Sequence, residues 1–449
     1  MQVGKTTSHS SFGNLLFSIL RSMALASRTP QRAMVPPITA VPGSPLSSSG
    51  ADGQELGAVA TRWPSYDEQC TAHGCFPRLF ILGTQKGGTS SLAVALQKHG
   101  TVCFSNPERT GAWNAETQNE KEPHVFSELN ASTWRGMLRR PDQYSRLFQP
   151  ADCPLRHFVD ATPAYLRSAQ APGRLALIAP PALRPQLRMV AIIREPIARD
   201  LSWFNHKLAS VADLGGAFCE GCPTNQVDFC APAAPGRPGP TYEAETLCRK
   251  QELDGCLASG AAGARGLMAL NLTTTAEACV PRASARTDFI EHCDRYWSCV
   301  GASGARDVAQ LAWGFYAPQL RAWWTHVARS SVFVVDFERL VTEEDDMVGR
   351  IAAFYGLPPL ASARLGRDNA KESRFKVEVV ACSTRSLLEQ LYHPWNDFLV
   401  ESLRDPLWRG AGHEPPPHEP RFDGFTSVVP CDEQERTNLT RLSRRERGK

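Results

Sequence analysis

Charge of one sign is missing from this chain. Its 49 lysines and arginines stand against 46 aspartates and glutamates, a balance that offers neither a polyanion-binding surface nor a self-repelling acidic tail. Nucleic acid is therefore not an expected partner. Long hydrophobic runs are scarce as well. The N-terminal "FGNLLFSIL" (Phe12 to Leu20), between Lys5 and Arg21 and ahead of a small-residue "ALAS", falls short of the roughly 20 apolar residues that span a bilayer. It reads as a short secretory signal, with a Ser-rich organelle transit peptide as the competing reading and membrane association through this end as a further possibility. A second Cys-x-x-Cys is absent too. Cys219 and Cys222 would make half a zinc site, but Cys230, Cys248 and Cys256 follow without ligand-like spacing, so no metal is expected.

Cysteine itself is plentiful. Of 14 cysteines, eight fall between Cys219 and Cys299, which favours disulfides in an oxidising compartment over metal ligation. Asn130, Asn271 and Asn438 head glycosylation sequons, a frequency that by itself adds little. The 449 residues suffice for one large domain or two ordinary ones. Residues 1–28 read as the targeting segment, 29–66 as a flexible Pro/Ser-rich stem, 67–410 as the ordered domain with 219–299 as a cysteine-rich insertion, and 411–449 as an irregular basic tail.

Within the domain, apolar runs bounded by turns or charges predict buried parallel strands at Arg78–Gly83, Leu187–Ile193 and Ser331–Phe337. Helical patterns predict Ser90–His99, Pro196–Ser210, a long helix over Val308–Arg329, and Glu344–Tyr355 stopped near Gly356. Such alternation predicts an α/β fold, a parallel sheet flanked by helices.

The first strand runs into "GTQKGGTSSL". A nucleoside-triphosphate loop reads GxxxxGK[ST], with lysine just before the hydroxyl residue. Here Gly83 and Gly88 have that separation, but Thr89 takes the lysine's place and Lys86 sits inside the loop. The loop amides around Gly87 and Gly88, the following helix N-terminus, and the hydroxyls of Thr89, Ser90 and Ser91 can still hold an anion. What is lost is the arrangement that sets a lysine on β/γ-phosphates beside magnesium. After the second strand, "REPIARDLS" places Arg194 at the strand end and Ser202 in the next helix, a guanidinium and a hydroxyl able to take a second phosphate. In open α/β sheets that edge is where ligands bind.

These residues resemble the sulfotransferases that use 3′-phosphoadenosine 5′-phosphosulfate (PAPS). "GTQKGGTSSL" is similar to their 5′-phosphosulfate loop and "REPIARDLS" to their 3′-phosphate segment. "KEPHVFS" (Lys121 to Ser127), "DATPAYL" (Asp160 to Leu166), "GFYAPQLRAWW…VFVVDFERL" and "LYHPWNDFL" extend the resemblance over about Phe76 to Trp408. Its pattern is similar to Golgi-type carbohydrate sulfotransferases, the N-acetylgalactosamine 4-sulfate 6-O-sulfotransferase group in particular. The resemblance implies a P-loop-like fold, PAPS as donor without a metal, a glycan or polysaccharide acceptor and the Golgi lumen. It implies that Lys86 stabilises charge on the departing bisphosphate and that Glu122 takes the acceptor's proton, with His124 the runner-up. Without the resemblance, Lys121–Glu122 reads as a surface pair. Arg374, in "RDNAKESRFK", is the candidate from a nucleotide-contacting loop; a solvated charged loop is the rival reading. Ala161 stands where many relatives carry Lys, which removes one cation from the acceptor side. Trp313, Trp323 and Trp324 fall at helical spacing and read as core. The rival functions are a divergent nucleotide kinase, opposed by the displaced lysine, and a lectin-like module on an inactive fold.

Overall fold

The computed structural model describes residues 69–98, 100, 102–105, 121–127, 131–153, 157–213, 219–222, 227–230, 241–259, 308–359, 365 and 379–404. The targeting segment, stem and tail, the three sequon asparagines and Arg374 lie outside them.

Four parallel strands form the central sheet: β1 (Leu79–Gly83), β2 (Val159–Asp160), β3 (Arg188–Ile193) and β4 (Val332–Asp336), in the order β2-β1-β3-β4. Leu79 is opposite Val159 on one side and Arg188 on the other, and Met189 is opposite Val332. Side chains alternate across a strand, and both faces are buried. Phe80, Leu82, Met189 and Ala191 join one core, while Leu79, Ile81, Val190 and Ile192 join the other. That two-sided burial is why these strands read as continuous apolar runs.

Helix α1 (Thr89–Lys98) follows β1, α2 (Ala171–Ile178) precedes β3, and α3 (Pro196–Asp213) follows it. Pro196 opens α3 where its missing N–H costs nothing. The cysteine-rich stretch contributes an antiparallel pair, Cys219–Cys222 with Val227–Cys230, and helix α4 (Tyr242–Ser259). Disulfides expected within 219–299 lie outside the described side chains. Two others are formed, Cys70–Cys75 and Cys103–Cys153.

The long helix predicted over Val308–Arg329 is broken in two, α5 (Val308–Ala312) and α6 (Tyr316–His326). Gly314 explains the break. A Cβ there would stand 2.7 Å from the Tyr392 ring and 2.9 Å from Pro196, so the chain turns where only glycine can approach. Beyond β4 come α7 (Phe337–Thr342), α8 (Glu344–Tyr355) and α9 (Cys382–Arg404). Asp336 caps α7 by accepting from the Glu338 amide. Gly356, left-handed at φ 71°, ends α8. Trp313, Trp323 and Trp324 are buried, as their spacing predicts. No described helix is long and apolar enough to cross a membrane.

Candidate active site

The turn between β1 and α1 is fastened to the neighbouring strand. The Thr84 amide donates to Ile192 O at 2.7 Å, the Gly87 amide to Thr84 O at 2.9 Å, and the Leu92 amide to Gly88 O at 3.0 Å. The two glycines serve different needs. At Gly87 a Cβ would lie 2.8 Å from the Thr84 methyl and 3.1 Å from Ile192 O, so space forbids a side chain. At Gly88 the backbone is left-handed (φ 84°) and a Cβ would meet the Phe337 ring at 3.0 Å. Lys86 itself has φ 68°, a conformation unfavourable for a non-glycine residue and one that over-determined functional turns retain. Thr89 is buried, and Ser90 and Ser91 are half-buried in the first turn of α1.

Arg194 leaves the end of β3 and reaches this turn. Its Nη1 donates to Lys86 O at 3.0 Å, and its guanidinium carbon lies 4.5 Å above the Phe337 ring. Burial lowers its pKa from the ordinary value, and its Nε is buried with no hydrogen-bond partner among the described residues. A half-buried cation with a spare donor fits an incoming anion. Glu195 caps α3, accepting from the amides of Ile197 (3.0 Å) and Ala198 (2.6 Å). Ser202 lies further along α3, half-buried.

The second cluster stands beside the first. The chain leaving β2 passes against the loop's opening residue: a Cβ on Gly83 would fall 2.7 Å from Pro163 O. In this passage the Ala161 amide donates to Lys121 O at 2.8 Å, which brings "KEPHVFS" alongside. Lys121 Nζ pairs with Glu122 Oε1, and His124 Nε2 lies 3.3 Å from Glu122 Oε2. Burial pulls the Lys121 ammonium down to about 8. The expected surface position of the Lys-Glu pair does not hold: both side chains are under 20% exposed, at 14% and 17%. His124, at φ 55°, is held through its amide, which donates to Thr162 Oγ1 at 3.2 Å.

Thr162 leads to a residue that sequence reading passed over. Asp160, fully buried, accepts from Thr162 Oγ1 (2.7 Å), the Thr162 amide (3.2 Å), Tyr144 Oη (2.7 Å) and Tyr165 Oη (2.9 Å). Burial nevertheless pushes its carboxyl up to about 6. A carboxylate closing an apolar "HFVD" run was the available signal. Tyr316 and Phe337, on either side of Arg194, were also missed, because an aromatic at a helix start looks like core from sequence.

The structure thus brings Lys86, Gly87, Gly88 and Arg194 together at one corner, and Lys121, Glu122 and His124 into a cluster around one carboxylate beside it. It records no direct contact between Ser202 and Arg194. Among the described residues, no group of His, Cys, Asp and Glu could hold a metal ion.

Residues 76–377 match the family described as "Sulfotransferase domain". Among curated relatives, the bifunctional heparan sulfate N-deacetylase/N-sulfotransferase 1 of Xenopus laevis is 27% identical over 135 residues, 30% of this chain and 13% of that protein. The mouse heparan sulfate glucosamine 3-O-sulfotransferase 3A1 is 24% identical over 179 residues, 40% of this chain and 37% of that protein. The chain therefore spans only a minor part of these relatives' length. A solved sulfotransferase from Alicyclobacillus acidocaldarius aligns with 75% of this chain and 100% of its own, at 17% identity and a TM-score of 0.40. With the family match covering well over half of its length, this chain belongs to the sulfotransferase domain family.

Proposed function

We propose that the protein transfers a sulfonate group from PAPS to a hydroxyl of a carbohydrate. One observation carries the reading. A loop lacking the lysine of nucleoside-triphosphate sites is tied through its Lys86 carbonyl to Arg194, a half-buried guanidinium whose Nε has no partner among the described residues. This pairing suits a ligand with anionic groups at two ends better than a triphosphate on magnesium.

The donor supplies an activated sulfonate: the acceptor oxygen bonds to sulfur as the bond from sulfur to the bridging phosphate oxygen breaks, its electron pair leaving with the 3′,5′-bisphosphate. In this reading the loop amides, Thr89, Ser90 and Ser91 hold the 5′ end. Lys86 meets the charge that grows on the bridging oxygen, an interaction stronger in the transition state than before it. Arg194 and Ser202 take the 3′-phosphate, with Arg374 assigned to the same end. Glu122 receives the acceptor's proton, and its orientation is fixed by contacts on both oxygens, from Lys121 and His124.

A carbohydrate acceptor is supported by the names of the relatives, which act on heparan sulfate. Since those include both N- and O-sulfotransferases, the hydroxyl assignment rests on Glu122 as a base suited to an alcohol. The two disulfides accord with an oxidising secretory compartment such as the Golgi lumen. Incubation with 35S-labelled PAPS and a panel of glycosaminoglycans and neutral glycans tests the proposal. Label appearing in an acid-stable, base-stable O-sulfate of a glycan supports it. No transfer to any member, with the bisphosphate product bound normally, overturns the carbohydrate assignment.

A further inference from the structure

We infer that Tyr316 and Phe337 tie the loop and Arg194 into one anion receptor of preset spacing, so that the site selects a ligand phosphorylated at both ends. The inference rests on the donor-site reading above and deepens it. Both are positioning residues, acting through the groups that would touch the ligand.

Tyr316 lies between the two elements. Its hydroxyl donates to the Arg194 carbonyl at 2.8 Å, and the Thr84 side chain at the start of the loop lies close to its oxygen. The ring is 1% exposed, so its direction is fixed by packing. It opens α6 two residues after Gly314, the glycine seated against Pro196 at the head of α3. The turn that carries Tyr316 is thereby held to the helix that follows Arg194. One phenol thus touches both sides of the corner.

Phe337 performs the same coupling on side chains. Its ring underlies the Arg194 guanidinium at 4.5 Å, and the same ring closes on Gly88 so tightly that a Cβ would stand 3.0 Å from Cε2. Arg194 completes the circuit by donating to Lys86 O at 3.0 Å. Tyr316 couples the start of the loop to the Arg194 backbone, and Phe337 couples Gly88 to the Arg194 guanidinium, so two separate paths limit how far loop and Arg194 can part. A receptor whose two halves are already spaced does not lose that ordering free energy on binding, and the second phosphate enters at a high effective concentration once the first is held.

The test compares three ligands by calorimetry: 3′-phosphoadenosine 5′-phosphate, 5′-AMP and 3′-AMP. The unmodified protein should bind the bisphosphate far more tightly than either monophosphate. Tyr316→Phe, which removes one oxygen and keeps the ring, should weaken the bisphosphate about three- to ten-fold, the span of one buried hydrogen bond. Each monophosphate should stay within about two-fold, because one phosphate engages one half of the corner and gains nothing from the spacing. Phe337→Leu, an independent variant on a half-buried side chain, should act in the same direction by about two- to five-fold through loss of the ring beneath the guanidinium. Equal weakening of all three ligands, or an unchanged bisphosphate affinity in both variants, would overturn the inference. Failure of the unmodified protein to bind the bisphosphate would instead overturn the donor reading itself.

Discussion

Tyr144→Phe offers a quantitative test of how the carboxylate cluster is held. Tyr144 is fully buried, its ring edge-on to Phe76, Phe126 and Phe148 with centroids 5.2, 4.9 and 5.4 Å away. A phenylalanine keeps those contacts and leaves almost no cavity. The substitution removes one hydrogen bond of 2.7 Å to Asp160. A bond to a charged group contributes about 1.5–3 kcal/mol, which fixes the scale of the loss while Asp160 is ionised.

The loss should depend on pH, with a determined sign. Burial raises the Asp160 carboxyl from 3.8 to about 6 in the folded protein. The folded state therefore holds the extra proton more tightly than the unfolded chain, and stability rises as pH falls from about 6 towards 4. Without Tyr144 the ionised form loses a donor, so the folded pKa climbs by a further 1–2 units, roughly, at about 1.36 kcal/mol per unit. The variant then starts to regain stability nearer neutral pH. Unfolding in urea at pH 8 should show the full deficit of about 1.5–3 kcal/mol. At pH 5, where both carboxyls are largely protonated, the two proteins should converge to within about 1 kcal/mol. A deficit equal at both pH values, or below about 0.5 kcal/mol at pH 8, would refute the assignment of Asp160 as an anion held by these donors. Because Thr162 links Asp160 to the His124 amide, the variant should also lose turnover in step with stability.

Glu122→Gln should lower turnover about 10²- to 10⁴-fold and leave bisphosphate affinity unchanged; if His124→Ala shows the larger loss, the proton goes to the imidazole. Gly88→Ala combines a left-handed backbone, about 1–2 kcal/mol for a residue with a Cβ, with a forced shift of the Phe337 ring. Bisphosphate affinity should fall more than ten-fold, or about 1.4 kcal/mol, and an unchanged affinity would contradict the described loop. The Cys103–Cys153 bridge closes a span of 50 residues. Replacing both cysteines by alanine should reduce stability by about 4 kcal/mol on the chain-entropy account, read as a lower urea midpoint.

The sheet was legible because its strands are buried on both faces and appear as uninterrupted apolar runs bounded by glycine or charge. Leu79–Gly83, Arg188–Ile193 and Val332–Asp336 fall where those runs predict. Strand β2, two residues long, escaped because it is too short to carry periodicity. The break at Gly314 escaped because apolar spacing continues through it; only the neighbouring Tyr392 and Pro196 demand the turn. Lys86 and Arg194 stood out through motif spacing, and their mutual contact follows from adjacent parallel strands ending at one edge. The Lys121–Glu122 pair gave no local sign of burial, since its shelter comes from the chain passing at Ala161, 40 positions along. Long-range partners of this kind, including Asp160 with Tyr144, are set by topology and have no signature within a single segment.

Calorimetric titration of the full chain with 3′-phosphoadenosine 5′-phosphate, set beside ATP with magnesium, tests the central claim most directly. The account predicts metal-independent binding of the bisphosphate that Arg194→Ala and Lys86→Ala both weaken, with little or no binding of ATP. Tight magnesium-dependent ATP binding with no affinity for the bisphosphate would contradict it and return the loop to nucleoside-triphosphate chemistry.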